Sequence, residues 1–280
     1  MKDIFAVDLH THASKSSSII ERELDKNIIQ KQEDYTNHLN ELEKKAQLPT
    51  LLSLLRTVLL VLASVFLGIF FMELTQMGEG QKIPPERYIL FGFGCLFLII
   101  GSCLTIYKKK RAKKVAASEE YKNLLKSGDQ IAKESDKFLK IPQSATPIDV
   151  FLYVYSTKGG KERPATRAFD YINASVKIFT EGEKVMLADM QTVFAVEKAW
   201  FKGFEIIEKR IVFNAWNKAK YITDKPYSNF AVKQRSNGSF SVKNAVKINF
   251  ERAGEQFFII VPPYDSEIFL KYIGSKKKKG

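Results

Sequence analysis

Two stretches of this chain exclude almost every soluble fold. Residues 51–72 run for 22 positions with one charge, Arg56, and residues 88–107 run for 20 positions with none. A helix rises about 1.5 Å per residue, so about 20 apolar residues cross the hydrocarbon core of a bilayer. A soluble core helix of that length keeps a polar face, and residues 88–107 have none. A cleaved leader is a poor fit, because the first run starts 50 residues in. The expected spans are residues 49–73 and 88–107. They are joined by an external loop at 74–87 that holds Gly78, Gly80, Pro84 and Pro85. So short a loop implies an antiparallel hairpin.

Charge sets its orientation. The chain is net +13, but residues 51–107 are neutral, residues 108–140 are net +6 and residues 141–280 are net +9. Lys108, Lys109, Lys110, Arg111, Lys113 and Lys114 follow the second run directly. The loop carries only Lys82 and Arg87. Lys44 and Lys45 precede the first run, and Arg56 can snorkel toward them. Cations stay on the cytoplasmic side, so both termini are expected there, in an integral membrane protein of two spans. Phe70, Phe71, Tyr88 and Tyr107 fall at helix ends, where aromatic rings favour the interface. Ser64 and Gly68, four apart, and Gly94 and Gly101, seven apart, are the expected helix-packing positions, since small residues let backbones approach. Cys95 and Cys103 lie about 80° apart around a helix, which suits small buried hydrophobes better than a metal pair.

Both flanks of the hairpin read as helices on the cytoplasmic side. After a tail at 1–15, residues 16–48 form an amphipathic helix, capped by Ser16, Ser17 or Ser18, with Ile28, Tyr35 and Leu42 seven apart. Residues 108–140 form a basic juxtamembrane helix. Its stripe is Tyr121, Leu124, Gly128, Ile131, Ser135 and Phe138. The two would pair antiparallel, or serve self-association.

From residue 148 the apolar period changes from helical to two. Residues 150–155, 176–179, 185–187, 192–196, 205–207, 211–216, 230–234, 240–242, 246–251 and 257–261 read as strands. Glu181-Gly182, Asn237-Gly238 and Ala253-Gly254 are turns. Asp265 or Ser266 caps a final helix that ends before Gly274. This succession of antiparallel strands closed by one helix, over residues 148–274, resembles the pleckstrin-homology-like (PH-like) domains attached to bacterial membrane helices. The resemblance implies an antiparallel β-sandwich or barrel capped by a helix. It also implies binding of phospholipid headgroups or peptides rather than catalysis, with a basic cluster in an early hairpin loop. Lys158, Lys161 and Arg163 match that cluster. A basic tail, 275–280, follows, and part of residues 276–279 is expected to share a face with those three.

The fold class is therefore an α+β membrane protein. Asp8-Leu9-His10-Thr11-His12 resembles the opening of the polymerase-and-histidinol-phosphatase metallophosphoesterases, where two such His ligate metal. That site needs further His and carboxylates in a large barrel, and the one other His here is His38. There is no P-loop, nucleophile elbow or Cys/His pair. No catalytic residue, metal or cofactor is assigned. The cations sit beside a membrane run, so anionic lipid headgroups are a nearer partner than nucleic acid. The expected function is a non-enzymatic, membrane-anchored binding or scaffold protein. The alternative is a regulatory or assembly subunit whose β domain docks a protein partner. A hydrolase using His10 and His12 is the remote third.

Overall fold

The computed structural model describes residues 2–8, 17–76, 83–158, 161–164, 166, 168–215, 227 and 229–274. The chain forms two compact units. One is Asn27–Ile131, and the other joins Met1–Lys26 to Ala132–Gly280.

The first unit is helical. Helix α1 (Lys26–Ala46) leads through Pro49 into α2 (Thr50–Gln76), and α3 (Pro85–Ala116) returns to α4 (Glu119–Phe138). Both α2 and α3 are long and apolar enough to cross a membrane, and only 11 % of the most apolar window of each is buried. Pro85 opens α3 where its missing N–H costs nothing. The basic run does not begin a new helix at 108, as expected. Helix α3 continues through it to Ala116, and the break comes at Ser118, whose Oγ accepts the Tyr121 N–H at 3.2 Å and caps α4.

Among the described residues the second unit is a sheet with one helix of its own, and it takes in the last turns of α4. Its strands are β1 (Lys2–Asp3), β2 (Val7–Asp8), β3 (Ile20–Glu23), β4 (Thr146–Lys158), β5 (Lys161–Pro164), β6 (Tyr171–Glu181), β7 (Lys184–Ala188), β8 (Thr192–Glu197), β9 (Phe201–Ile207), β10 (Ile211–Ala215), β11 (Lys233–Gln234), β12 (Phe240–Val242), β13 (Ala245–Arg252) and β14 (Glu255–Val261). Helix α5 (Ser266–Ile273) follows and ends on Gly274 at φ 80°. The main path through the sheet runs β11-β12-β10-β6-β4-β14-β13-β9, with β7 and β8 branching from β6. Pairing is antiparallel except for β1 on β14, β2 on β4 and β10 on β6. Asn237-Gly238 turns β11 into β12 as expected, with Gly238 at φ 81° and Asn237 Oδ1 accepting the Ser239 N–H.

The strong twist of strands curls such a sheet round its own apolar face. Strands β4, β6, β7, β8, β13 and β14 all feed one core cluster, which Phe269, Leu270 and Ile273 of α5 complete. A second cluster lies on the other face, where Phe151 and Ile260 meet Phe213 and Phe240 of the inserted β10 and β12.

Residues 1–26 correct the expectation most. The expected tail supplies β1 and β2, and the expected helix at 16–48 starts only at Lys26, after a 3-10 turn at Ser17–Ile19 and β3. Ile4, Phe5, Ala6 and Ile19 are all buried. The hydrophobic gain of these buried apolar groups outweighs the helix propensity of the stretch around residue 20. The β unit is therefore interrupted. Its chain leaves at Lys26 and returns at Ala132.

Candidate functional site

The apolar hairpin is built on two glycine notches. A Cβ on Gly94 would lie 2.8 Å from Cγ of Leu67 and 3.3 Å from its backbone N. One on Gly101 would lie 2.7 Å from Cδ2 of Leu60. The facing side of α2 is the stripe Leu59, Ala63 and Phe70, with Phe66 and Phe70 touching Phe97 and Phe91. Ser64 and Gly68 are not part of it. Both are exposed, Ser64 Oγ donates back to Leu60 O at 2.9 Å, and nothing lies near Gly68. At the loop end, Arg87 Nη1 and Glu73 Oε1 pair at 2.6 Å. At the other end the Arg56 Nε is buried without a hydrogen-bond partner. Cys95 is half-buried and Cys103 exposed, both as free thiols.

Past Tyr107 the surface of α3 changes from apolar to cationic. At about 100° per residue, Lys108, Lys109, Lys110, Arg111, Lys113 and Lys114 surround the helix axis rather than lining one face. They form a collar. The five lysines are exposed, and Arg111 is half-buried because its Nε donates to Lys45 O at 2.6 Å. That bond satisfies a carbonyl in the last turn of α1, where Lys44 and Lys45 also sit. Helices α1 and α4 meet above the collar. The Tyr35 ring fills the space over Gly128, within 2.8 Å of where a Cβ would be. His38 Nε2 lies 3.1 Å from Glu120 Oε1, and Lys45 Nζ lies 3.6 Å from it. Those two groups hold the Glu120 carboxyl below its ordinary pKa, the His38 hydrogen bond foremost.

In the β unit, Lys158, Lys161 and Arg163 belong to the hairpin of β4 and β5. Lys158 pairs with Lys161 and Ser156 with Arg163. Directly opposed residues share a face, as do residues two apart on a strand. The register therefore groups positions 158, 161 and 163 on one face of the hairpin; the side chains of Lys158 and Lys161 lie outside the described residues. Arg163 is exposed. Residues 276–279 lie outside the described residues, and so does the expected face they share with this hairpin. His10 and His12 lie outside them as well. Among the described residues no three His, Cys, Asp or Glu side chains gather as a metal site.

Two features escaped the sequence reading. One is the free edge of β9, which among the described residues pairs only with β13. Phe204 and Ile206 stand on it at 36 % and 57 % exposure. Their alternation with Glu205 is a weak strand signal that marks no edge. The other is the seam between β4 and β14. These strands pair at one position, Phe151 with Ile260, then part to admit residues 2–8. Tyr171 stands beside that seam. Burial first, and the nearby Asp3 carboxylate second, push its phenol up to about 12.

Comparison with protein-family models, curated proteins and solved structures finds no match for this chain, so the geometry alone carries its functional reading.

Proposed function

We propose that this chain is an integral membrane protein that crosses the bilayer with α2 and α3 and presents a basic, non-enzymatic PH-like binding domain at the cytoplasmic surface. The observation that carries the reading is the joining of an apolar two-helix hairpin to one domain assembled from both of its flanks. Residues 1–26 and 132–280 share a core, so both flanks must lie on one side, which only an even number of crossings allows. The ring of six cations at the end of α3 supports the cytoplasmic side. The hairpin's outward surface adds support. Side chains such as Leu54, Val61, Phe93 and Ile99 are exposed along its length, an apolar area that water does not tolerate and lipid does. Helices of 27 and 32 residues measure about 40 and 48 Å, longer than a core of about 30 Å, so their ends reach the headgroups.

The PH-like assignment rests on strand order. Strands β4, β6, β7 and β8 neighbour one another in series, as do β9, β13 and β14; β14 then adjoins β4, and α5 closes the core. Strands β10–β12 depart from that pattern as an insertion. Headgroup binding is assigned to Lys158, Lys161 and Arg163 in the domain, and to Lys108, Lys109, Lys110, Arg111, Lys113 and Lys114 at the collar. Each such cation near an anionic leaflet contributes roughly 1 kcal/mol, fading over a Debye length of about 8 Å.

The test uses the full chain in nanodiscs of neutral phosphatidylcholine, mixed with separate vesicles. Recruitment to phosphatidylglycerol vesicles, lost at high salt and after Lys158→Gln, Lys161→Gln and Arg163→Gln together, supports the reading. Equal recruitment to neutral vesicles, or none to either, defeats it in favour of protein docking. The free β9 edge with Phe204 and Ile206 favours that second reading, in which the chain is a regulatory or assembly subunit, because an unpaired strand accepts another strand.

A further inference from the structure

The seam between β4 and β14 has the features of a binding site, and its occupant is this chain's own segment 2–8. Its two ends each run parallel to their own partner, β1 with β14 and β2 with β4; because those two strands are antiparallel, the segment reverses between them through a turn in which the Ala6 N–H donates to Asp3 O at 3.3 Å. Lys2 and Asp3 sit opposite Phe257 and Phe258, and Val7 and Asp8 sit opposite Val154 and Tyr155. Between them the chain dips into the core, with Ile4 at 0 % and Phe5 at 3 % exposure. The Ile4 N–H donates to Phe258 O at 3.0 Å. The Asp3 carboxylate is buried, and its oxygens accept the Phe5 N–H at 3.0 Å and the Tyr153 N–H at 3.2 Å. The Phe5 ring meets Phe194 edge to face at 5.2 Å. Ala6 is buried as well, so its position takes a small side chain. At the rim Lys2 pairs with Glu255 at 2.9 Å.

Each recognition element is specific in kind. A strand of two residues contributes little ladder by itself, so the seam's selectivity lies in its acid socket and its two apolar pockets. Main-chain bonds at the two ends supply affinity and the side-chain pockets supply choice, the division of labour that peptide recognition by sheets uses. We propose that the seam is a complementation groove, a binding site for a peptide that folds into a tight turn bearing an acid, an aliphatic, an aromatic and a small residue in succession, and that Asp3-Ile4-Phe5-Ala6 fill it in cis. This stands independently of membrane insertion. It means that the β unit is completed by its own detachable ligand, joined to β3 through residues 9–16.

The experiment uses the full chain in detergent micelles with a specific protease site placed within residues 9–16. After cleavage, a fluorescent synthetic peptide of residues 1–8 should exchange into the protein with one-to-one saturation. Unlabelled peptide should compete, and a Phe5→Ala peptide should bind at least about 100-fold more weakly, the loss expected of an emptied aromatic pocket. A scrambled peptide that binds equally well overturns the proposal. So does cleaved, folded protein that has lost its segment and takes up no peptide. Should cleavage unfold the unit, uncleaved Phe5→Ala protein answers instead. The parent peptide should raise its melting temperature saturably, followed by tryptophan fluorescence, because a ligand of the folded state stabilises it. No rise overturns the proposal. A dimer of uncleaved protein that excess peptide dissolves would assign the segment to a second copy and overturn its placement in cis.

Discussion

Alanine at Gly94 should loosen the helical hairpin, whereas alanine at Gly68 should tighten it. Both glycines are mid-helix in apolar runs, and sequence spacing treats them alike. The contacts do not. A Cβ at Gly94 would meet Leu67 Cγ at 2.8 Å, Cδ2 at 2.9 Å and the backbone N at 3.3 Å, and at Gly68 it would meet nothing within 4 Å. Rotating Leu67 relieves the first two contacts but not the third, so α2 must shift. Overpacking of this kind costs about 1–3 kcal/mol. Alanine recovers about 0.5–1 kcal/mol in a helix interior, which leaves Gly94→Ala destabilised by about 0.5–2 kcal/mol. Gly68→Ala keeps only the gain. The two variants should then differ by roughly 1–3 kcal/mol, which is about 5- to 150-fold in the opening equilibrium. Gly101→Ala should fall between them, because its close contacts are side-chain atoms of Leu60 and the backbone N is 3.7 Å away. The assay is SDS titration of the full chain in mixed micelles. A fluorescent pair at Thr50→Cys and Ala112→Cys reports separation, in a Cys95→Ala and Cys103→Ala background. Equal midpoints for Gly94→Ala and Gly68→Ala would refute the packing face described above.

The remaining predictions concern topology, insertion and alkaline stability. A Cys at Gly80 should react with an impermeant thiol reagent in intact cells, and one at Glu183, on the turn between β6 and β7, should react only after lysis; the reverse pattern would place the β unit outside. Leu98→Arg should release the protein to carbonate extraction, since Arg at mid-span costs about 2.5–3.5 kcal/mol on insertion scales; parent-like retention would mean that α3 does not span. The Tyr171 phenol is raised to about 12 from its ordinary value of 10.0, so the fold favours its neutral form. Its contribution is full below pH 10 and is lost as pH rises toward 12. Unfolding followed against pH should therefore show a shallower alkaline decline in Tyr171→Phe than in the parent, and superimposable curves would sink the assignment.

The hairpin, the closing helix α5 and the turn at Asn237-Gly238 were legible in the sequence because each depends on residues near one another in the chain. The uncharged run at 88–107 is an apolar helix in any context, and an Asn-Gly pair turns wherever strands flank it. Three things were decided only by tertiary structure. Ser64 with Gly68 and Gly94 with Gly101 show the same kind of spacing, and only the partner helix reveals which pair is buried. Ser118 breaks the basic helix because its hydroxyl caps α4, while the apolar stripe on either side runs on. Residues 2–8 carried no strand signal, since pieces of two residues have no period. Their partners are also far away: Lys2 bonds Glu255 across 253 residues and Asp3 bonds Tyr153 across 150. Pairing of that range costs loop entropy which only a shared core offsets. Ile4 and Phe5 therefore declare themselves as core residues only once Phe194, Phe257 and Val150 have assembled around them.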